Sequence, residues 1–168
     1  MKNLIYIIAI LISSGCYAQK KLTKGSVKVN GTTYEIRKSQ YGPYISVLNP
    51  SNKYSHGTRV STNPLALPMK DSDMHVDVEK ANQIVYSVLK NKLNQLKDNK
   101  ETISISVIFE QDGTLVDIEY IILKQDTIIS IEDIDTISKR LKNEIRMRFT
   151  GKDYLDYKAF HSHFSIKF

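Results

Sequence analysis

Residues Thr102 to Glu110 (TISISVIFE) leave this chain little freedom. Ile103, Ile105, Val107 and Phe109 alternate with Thr102, Ser104, Ser106 and Glu110. A period of two with β-branched residues describes a strand that buries one face and wets the other. Gln111-Asp112-Gly113-Thr114 follows at once. Its glycine can take positive φ in a short hairpin loop. The next run, Leu115 to Lys124 (LVDIEYIILK), places Val116, Ile118, Tyr120 and Ile122 on one face and Asp117 and Glu119 on the other. Two antiparallel strands are expected, with an apolar face that something must cover.

The period then changes. Ile131, Ile134, Ile137, Leu141 and Ile145 form a helical stripe, with Glu132, Asp133, Lys139, Arg140, Lys142 and Glu144 on the wet side. Ser130 with Asp133 three residues on reads as a capping box. Arg146 and Arg148 complement the C-terminal end of the helix dipole, and Gly151 marks a stop. Phe160, Ser162, Phe164, Ile166 and Phe168 then alternate with His161, His163, Ser165 and Lys167 as a closing strand. A helix over an antiparallel sheet buries both apolar faces, so the fold class is α+β.

This order of elements resembles the C-terminal domain of the TonB and TolA energy transducers. The similarity spans residues 77–168 and is carried by ISVIF, the Asp112-Gly113 turn, the helix and the terminal FSIKF. It departs from the family in the link before the last strand, Arg146 to Tyr157 (RMRFTGKDYLDY), where many such domains have Trp, Pro and Gly. The resemblance implies a protein that engages a partner in a bacterial, Gram-negative envelope, by strand addition at an exposed sheet edge. A complete energy transducer is not expected, since four prolines supply no long Pro-rich reach.

The N-terminus sets the expected compartment. Lys2 and the apolar run Leu4 to Ile12 (LIYIIAILI) read as a signal peptide over residues 1–18. The run is shorter than the roughly 20 residues that span a bilayer. Cleavage after Ala18 would leave Gln19 first; the alternative is lipidation of Cys16, after Ser14-Gly15. Either route exports the protein, to the periplasm or beyond, and only lipidation would tether it to a membrane. Cys16 is the single cysteine, so disulfides and thiolate metal sites are not expected. The net charge of +6 is spread over helix faces that also carry acids, which argues against nucleic-acid binding.

Between signal and C-terminal block lie two further parts. Residues 19–48 read as a β-meander: Val27-Lys28-Val29, the Asn30-Gly31 turn, Thr32 to Ile36, a turn at Gln40 to Pro43, then Tyr44 to Leu48. Whether it packs apart or adds strands to the main sheet stays open. Residues 49–76, with Pro50, Pro64, Pro68 and Gly57, read as a loop or linker in which any strand is brief. A helix is expected from Asp77, capped by Asp77 or Asp73, with Val78, Ala81, Val85, Val88 or Leu89, Lys92 or Leu93, and Leu96 on one face, ending at Asp98-Asn99-Lys100.

Candidate chemistry is sparse. His161 and His163 project to one side of the last strand, as two metal ligands would, but on the face away from the core and with no third ligand in the sequence. Exposed strand histidines are the expectation, with a metal protein or small hydrolase using His161 and His163 as the alternative. Asp71 to Asp77 (DSDMHVD) lacks the central Gly and terminal Glu of a calcium loop and reads as helix-capping aspartates. Asp117 and Glu119 are expected as solvated outer-face carboxylates. Tyr34, Tyr41, Tyr44 and Tyr54 crowd the meander, either as packed strand residues or as a recognition surface for a ligand or inhibited partner. No G-x-S-x-G elbow, Walker loop or G-x-G-x-x-G occurs. The expectation is therefore an exported, non-enzymatic binding or scaffolding module without metal or cofactor. Its fold would be a three-stranded antiparallel sheet with a covering helix, a preceding helix and an N-terminal meander.

Overall fold

The structure, a computed structural model, describes residues 21–54 and 70–168. The expected signal peptide, Cys16 and most of the expected linker lie outside those residues. The chain is α+β. Three strands come first: β1 (Gly25–Val29), β2 (Thr32–Lys38) and β3 (Ile45–Leu48). After them come β4 (Met74–Val76), α1 (Val78–Val88) and α2 (Leu93–Asp98). The C-terminal part holds β5 (Thr102–Glu110), β6 (Leu115–Ile122), α3 (Ile131–Glu144), β7 (Met147–Phe149) and β8 (Ala159–Lys167).

Six strands form one antiparallel sheet in the order β1-β2-β3-β6-β5-β8, and β4 pairs with β7 in a second, small one. The meander is thus continuous with the C-terminal strands: Ile45 to Leu48 pair with Ile122 to Glu119. The β1–β2 turn forms as expected, with Asn30 at φ 47° and Gly31 at φ 87°, the doubly positive pair that suits a two-residue hairpin loop. Inward residues of all the larger strands, among them Ile36, Val47, Ile105, Phe109, Tyr120 and Phe164, bury against the helices.

Every residue of the expected α3 stripe is buried, and the Ser130–Asp133 capping box closes in both directions. Asp133, expected on the wet side, is buried instead. Lys92 explains it: its ammonium bonds both the Asp133 carboxylate and the Ile128 carbonyl, so the charge is paired where it is dry. The helix also stops earlier than the sequence implied. It ends at Glu144, Arg146 bonds the carbonyls of Lys142 and Ile145, and Arg148 belongs to β7 rather than to a last helical turn. Gly151 lies beyond β7 and ends no helix.

The helix from Asp77 is broken in two. Asp77 caps α1 by accepting from the Lys80 N–H at 2.9 Å, but a 3-10 turn at Lys90–Lys92 separates α1 from α2. The break lets both Leu89 and Leu96 bury fully and aims Lys92 at Asp133. Ile84 buries with Ala81 and Val85, whereas Val78 at the helix start stays exposed.

A bulge shifts β6. Ile108 pairs with Asp117 and Phe109 with Leu115, so Val116 has no opposite residue and Leu115 takes the core position expected for Val116. The Gly113 turn beside it is obligatory. Its φ is 81°, and a Cβ there would lie 2.2 Å from the Met147 carbonyl oxygen. The Gly113 carbonyl accepts from the Met147 N–H at 3.0 Å, so the start of β7 rests directly on the hairpin turn. Among the described residues no helix is long and apolar enough to cross a membrane.

Candidate functional site

The last strand, β8, presents both a face and an edge of the sheet to the outside. Alternation makes β8 a strand, and its nine residues pair without interruption along β5, from Thr102↔Lys167 to Glu110↔Ala159. Phe160, Phe164 and Ile166 point into the core; His161, His163, Ser165 and Lys167 are exposed. Both ends of the strand are pinned. At its start Phe160 packs on Phe149 (centroids 4.4 Å) and Tyr157 (5.6 Å), while Phe149 stacks on Tyr154 at 4.8 Å. At its end the Phe168 ring meets Tyr86 edge-on at 5.8 Å, and the Phe168 N–H bonds the Glu101 carbonyl at 3.0 Å.

The sheet order leaves β8 outermost. In an antiparallel ladder the N–H and C=O of alternate residues point to the same side. Every second residue of β8 therefore directs its backbone polar groups away from β5, where no other strand lies among the described residues. The devices that commonly blunt an edge are few here: β8 contains no proline and a single lysine, Lys167, near its end. Such an edge can template one more strand.

His161 and His163 sit on the exposed face of β8, as expected, with their rings 6.2 Å apart and nearly parallel. The third ligand that a metal site needs is not beside them: among the described residues no group of three His, Cys, Asp or Glu side chains converges. The residues from Asp73 to Asp77 are spread along a 3-10 turn, β4 and a helix cap. His75 there approaches Thr150, 3.4 Å from its hydroxyl.

Asp117 departs from expectation. It is 4% exposed, because residues 49–54 fold across it and its two oxygens accept from the backbone N–H groups of Lys53 (3.0 Å) and Tyr54 (2.7 Å). Glu119 is half-buried and accepts from the Ser46 hydroxyl at 3.1 Å. The same loop binds Glu110 through the Lys53 ammonium and the Tyr54 hydroxyl, which hold that carboxyl below its ordinary pKa. Asp117 and Glu110 are structural clasps between loop and hairpin, and Glu119 links β6 to β3.

The four N-terminal tyrosines divide. Tyr41 and Tyr44 are exposed around the β2–β3 turn, Tyr54 lies in the clasp just described, and Tyr34 is buried. Tyr34 belongs to a polar hub beneath α3 that pattern reading missed. Asp135, 1% exposed, accepts from the Tyr34 hydroxyl (3.0 Å), the Asn30 amide (2.8 Å) and the Lys139 ammonium (2.7 Å). Next to it the Tyr120 and Ser138 hydroxyls lie 2.7 Å apart. Burial drives the Tyr34 and Tyr120 hydroxyls well above the ordinary tyrosine pKa, and the Asp135 charge adds to the effect.

Of the comparisons with known proteins, the one with solved structures bears on the fold. No family model matches the chain, and no curated protein does. Among solved structures, the chain is similar to a DUF5043 family protein from Bacteroides uniformis ATCC 8492, at 14% identity and a TM-score of 0.71. The match covers 89% of this chain and 88% of that one. At that identity the similarity is one of architecture.

Proposed function

We propose that the protein is an exported, non-enzymatic binding or scaffolding module of the bacterial cell envelope that engages a partner protein by adding a strand to β8. The observation that carries this reading is the nine-residue edge, outermost in the sheet and pinned at both ends by aromatic contacts. Rigidity of this kind lowers the ordering cost of binding, and main-chain hydrogen bonds then supply affinity. The opposite edge is a poorer template: β1 has five residues, opens on Gly25 at φ 133° and carries Lys28 mid-strand. The resemblance of the order β5, β6, α3 and β8 to TonB-like domains favours the same mode of engagement. Export rests on the leader-like residues 1–18, with lipidation at Cys16 as the alternative route to the envelope.

The test is recovery of a partner from the native envelope, followed by hydrogen exchange on the complex. New protection should appear at alternate amides of β8. A partner that protects the helical face or the β2–β3 turn instead, leaving β8 unchanged, would overturn the reading.

A further inference from the structure

The turn between β2 and β3 is fixed in place, yet it presents a bare aromatic ring. The Ser39 N–H donates to the Tyr44 carbonyl at 3.1 Å, and the Tyr41 N–H to Ser39 Oγ at 3.0 Å. From the loop after β6, the Gln125 amide donates to the carbonyls of Ser39 (3.1 Å) and Gly42 (3.0 Å). On this framework Tyr41 is 96% exposed. Tyr44 ends the same turn and Leu123 faces it, one step past the Ile45↔Ile122 pair, and both are exposed. One bare ring is ordinary on a protein surface. Three apolar side chains on a backbone tied down in this way form a rigid apolar tip.

The charge around that tip is mainly of one sign. The sheet register brings Lys24, Lys38, Lys100, Lys124 and Lys167 to the same end of the strands. None of their ammonium groups pairs with an acid among the described residues. Lys21 and Lys97 stand at this end too. The acids there are Asp98, Asp126, Glu132 and the buried Glu101, too few to balance the lysines, and Arg37 and Glu35 cancel one another. At the far end the signs are mixed: Lys53 pairs with Glu110, and Asp153 and Asp156 sit among Lys152 and Lys158. The chain also enters the fold at the basic end. Lys21 bridges Ser130 just before α3, and Cys16 lies five residues earlier, within about 18 Å even at full extension.

We propose that this end of the sheet docks on an anionic phospholipid surface, with Tyr41, Tyr44 and Leu123 entering the headgroup layer and the lysines lying over the phosphates. Tyrosine suits that depth, because its ring is apolar and its hydroxyl stays wet. The lysines gain from the negative surface potential of an anionic leaflet, which a neutral one lacks. Lipidation at Cys16, on the alternative export route, would hold the same end against the bilayer. The contact is reversible and uses a strand end of the sheet, whereas the β8 edge runs along its side. Neither proposal depends on the other.

The experiment is co-sedimentation of the protein from Gln19 onward with phosphatidylcholine vesicles, with and without about one-third phosphatidylglycerol. Every described core residue follows Gln19, the first being Leu22, so the fold is kept while the apolar leader and any lipid are removed. Binding is expected to the anionic vesicles alone, and high salt should abolish it. Lys38→Gln combined with Lys124→Gln should weaken it about tenfold or more, and Tyr41→Ser roughly threefold. Lys152→Gln combined with Lys158→Gln makes the same change of net charge at the far end and should leave binding as it was. Equal binding to both vesicles, or an equal loss in the far-end variant, would overturn the proposal. So would absence of binding to either vesicle; protection of the Tyr41 turn in a captured complex would then assign the tip to a protein partner.

Discussion

The two halves of the six-stranded sheet are held by different physics. Around β5, β6 and β8, Ile134, Ile137 and Leu141 of α3 share one buried apolar cluster with Ile105, Phe109 and Tyr120. On the other side of β6 the meander also contributes apolar residues, Ile36, Ile45 and Val47, but its contact with α3 centres on one carboxylate, Asp135, shared by Asn30, Tyr34 and Lys139. Apolar contacts are individually small and collectively large, so the loss of one is shared by the whole cluster. A buried polar hub is few and strong, and it fails when a single member goes.

The largest effect should come from the apolar half. Phe109→Ala removes a fully buried ring and should cost about 3–5 kcal/mol in denaturant unfolding, with amide protection falling across the whole sheet. A loss confined to β5 would break the contrast, because it would mean that the apolar half is not one cooperative unit. Asp135→Ala should cost roughly 2–3 kcal/mol by stranding buried donors. That cost should fall on the meander: amides of β1 and β2 should exchange faster while those of β5 and β8 hold. Equal loss everywhere would show that the hub supports the core rather than docking the meander.

The smallest effect is a pH dependence. The folded-state pKa of Tyr34 is raised above its unfolded value of about 10, so its contribution is present below pH 10 and is lost as the pH climbs further. Stability should therefore fall above about pH 10, and in Tyr34→Phe that fall should be shallower by about one proton, near 1.4 kcal/mol per pH unit. Identical slopes in the two proteins would show that Tyr34 is not held protonated by the fold.

The same contrast explains what could be read from the residues alone. Period two in TISISVIFE and FHSHFSIKF, the Asn30-Gly31 and Asp112-Gly113 turns and the α3 stripe are local patterns, and each formed as expected. What escaped was set by distant groups. Asp133 and Asp117 looked like surface carboxylates until Lys92 and the backbone of residues 53 and 54 reached them. The Val116 bulge and the break after α1 are tertiary adjustments that keep Leu115, Leu89 and Leu96 buried. The aromatic anchor of β8 had a visible signal in the Tyr and Phe of RMRFTGKDYLDY, but no fixed period by which to place it. For the polar hub beneath α3 the sequence held no signal, since Asn30, Tyr34 and Asp135 meet from the β1–β2 turn, β2 and α3.

The β3–β6 ladder also orders events in time. Ile45 to Leu48 find their partners only at Glu119 to Ile122, with residues 49–118 closing as a loop between them. Closure of so long a loop costs entropy before it returns any contact, whereas β5 and β6 meet across a tight turn. Folding should accordingly begin at that hairpin and recruit the meander late. As the chain emerges from its N-terminus, the open side of Ile45–Leu48 waits for most of the protein to be made, an unpaired edge that the newborn chain must keep from other strands.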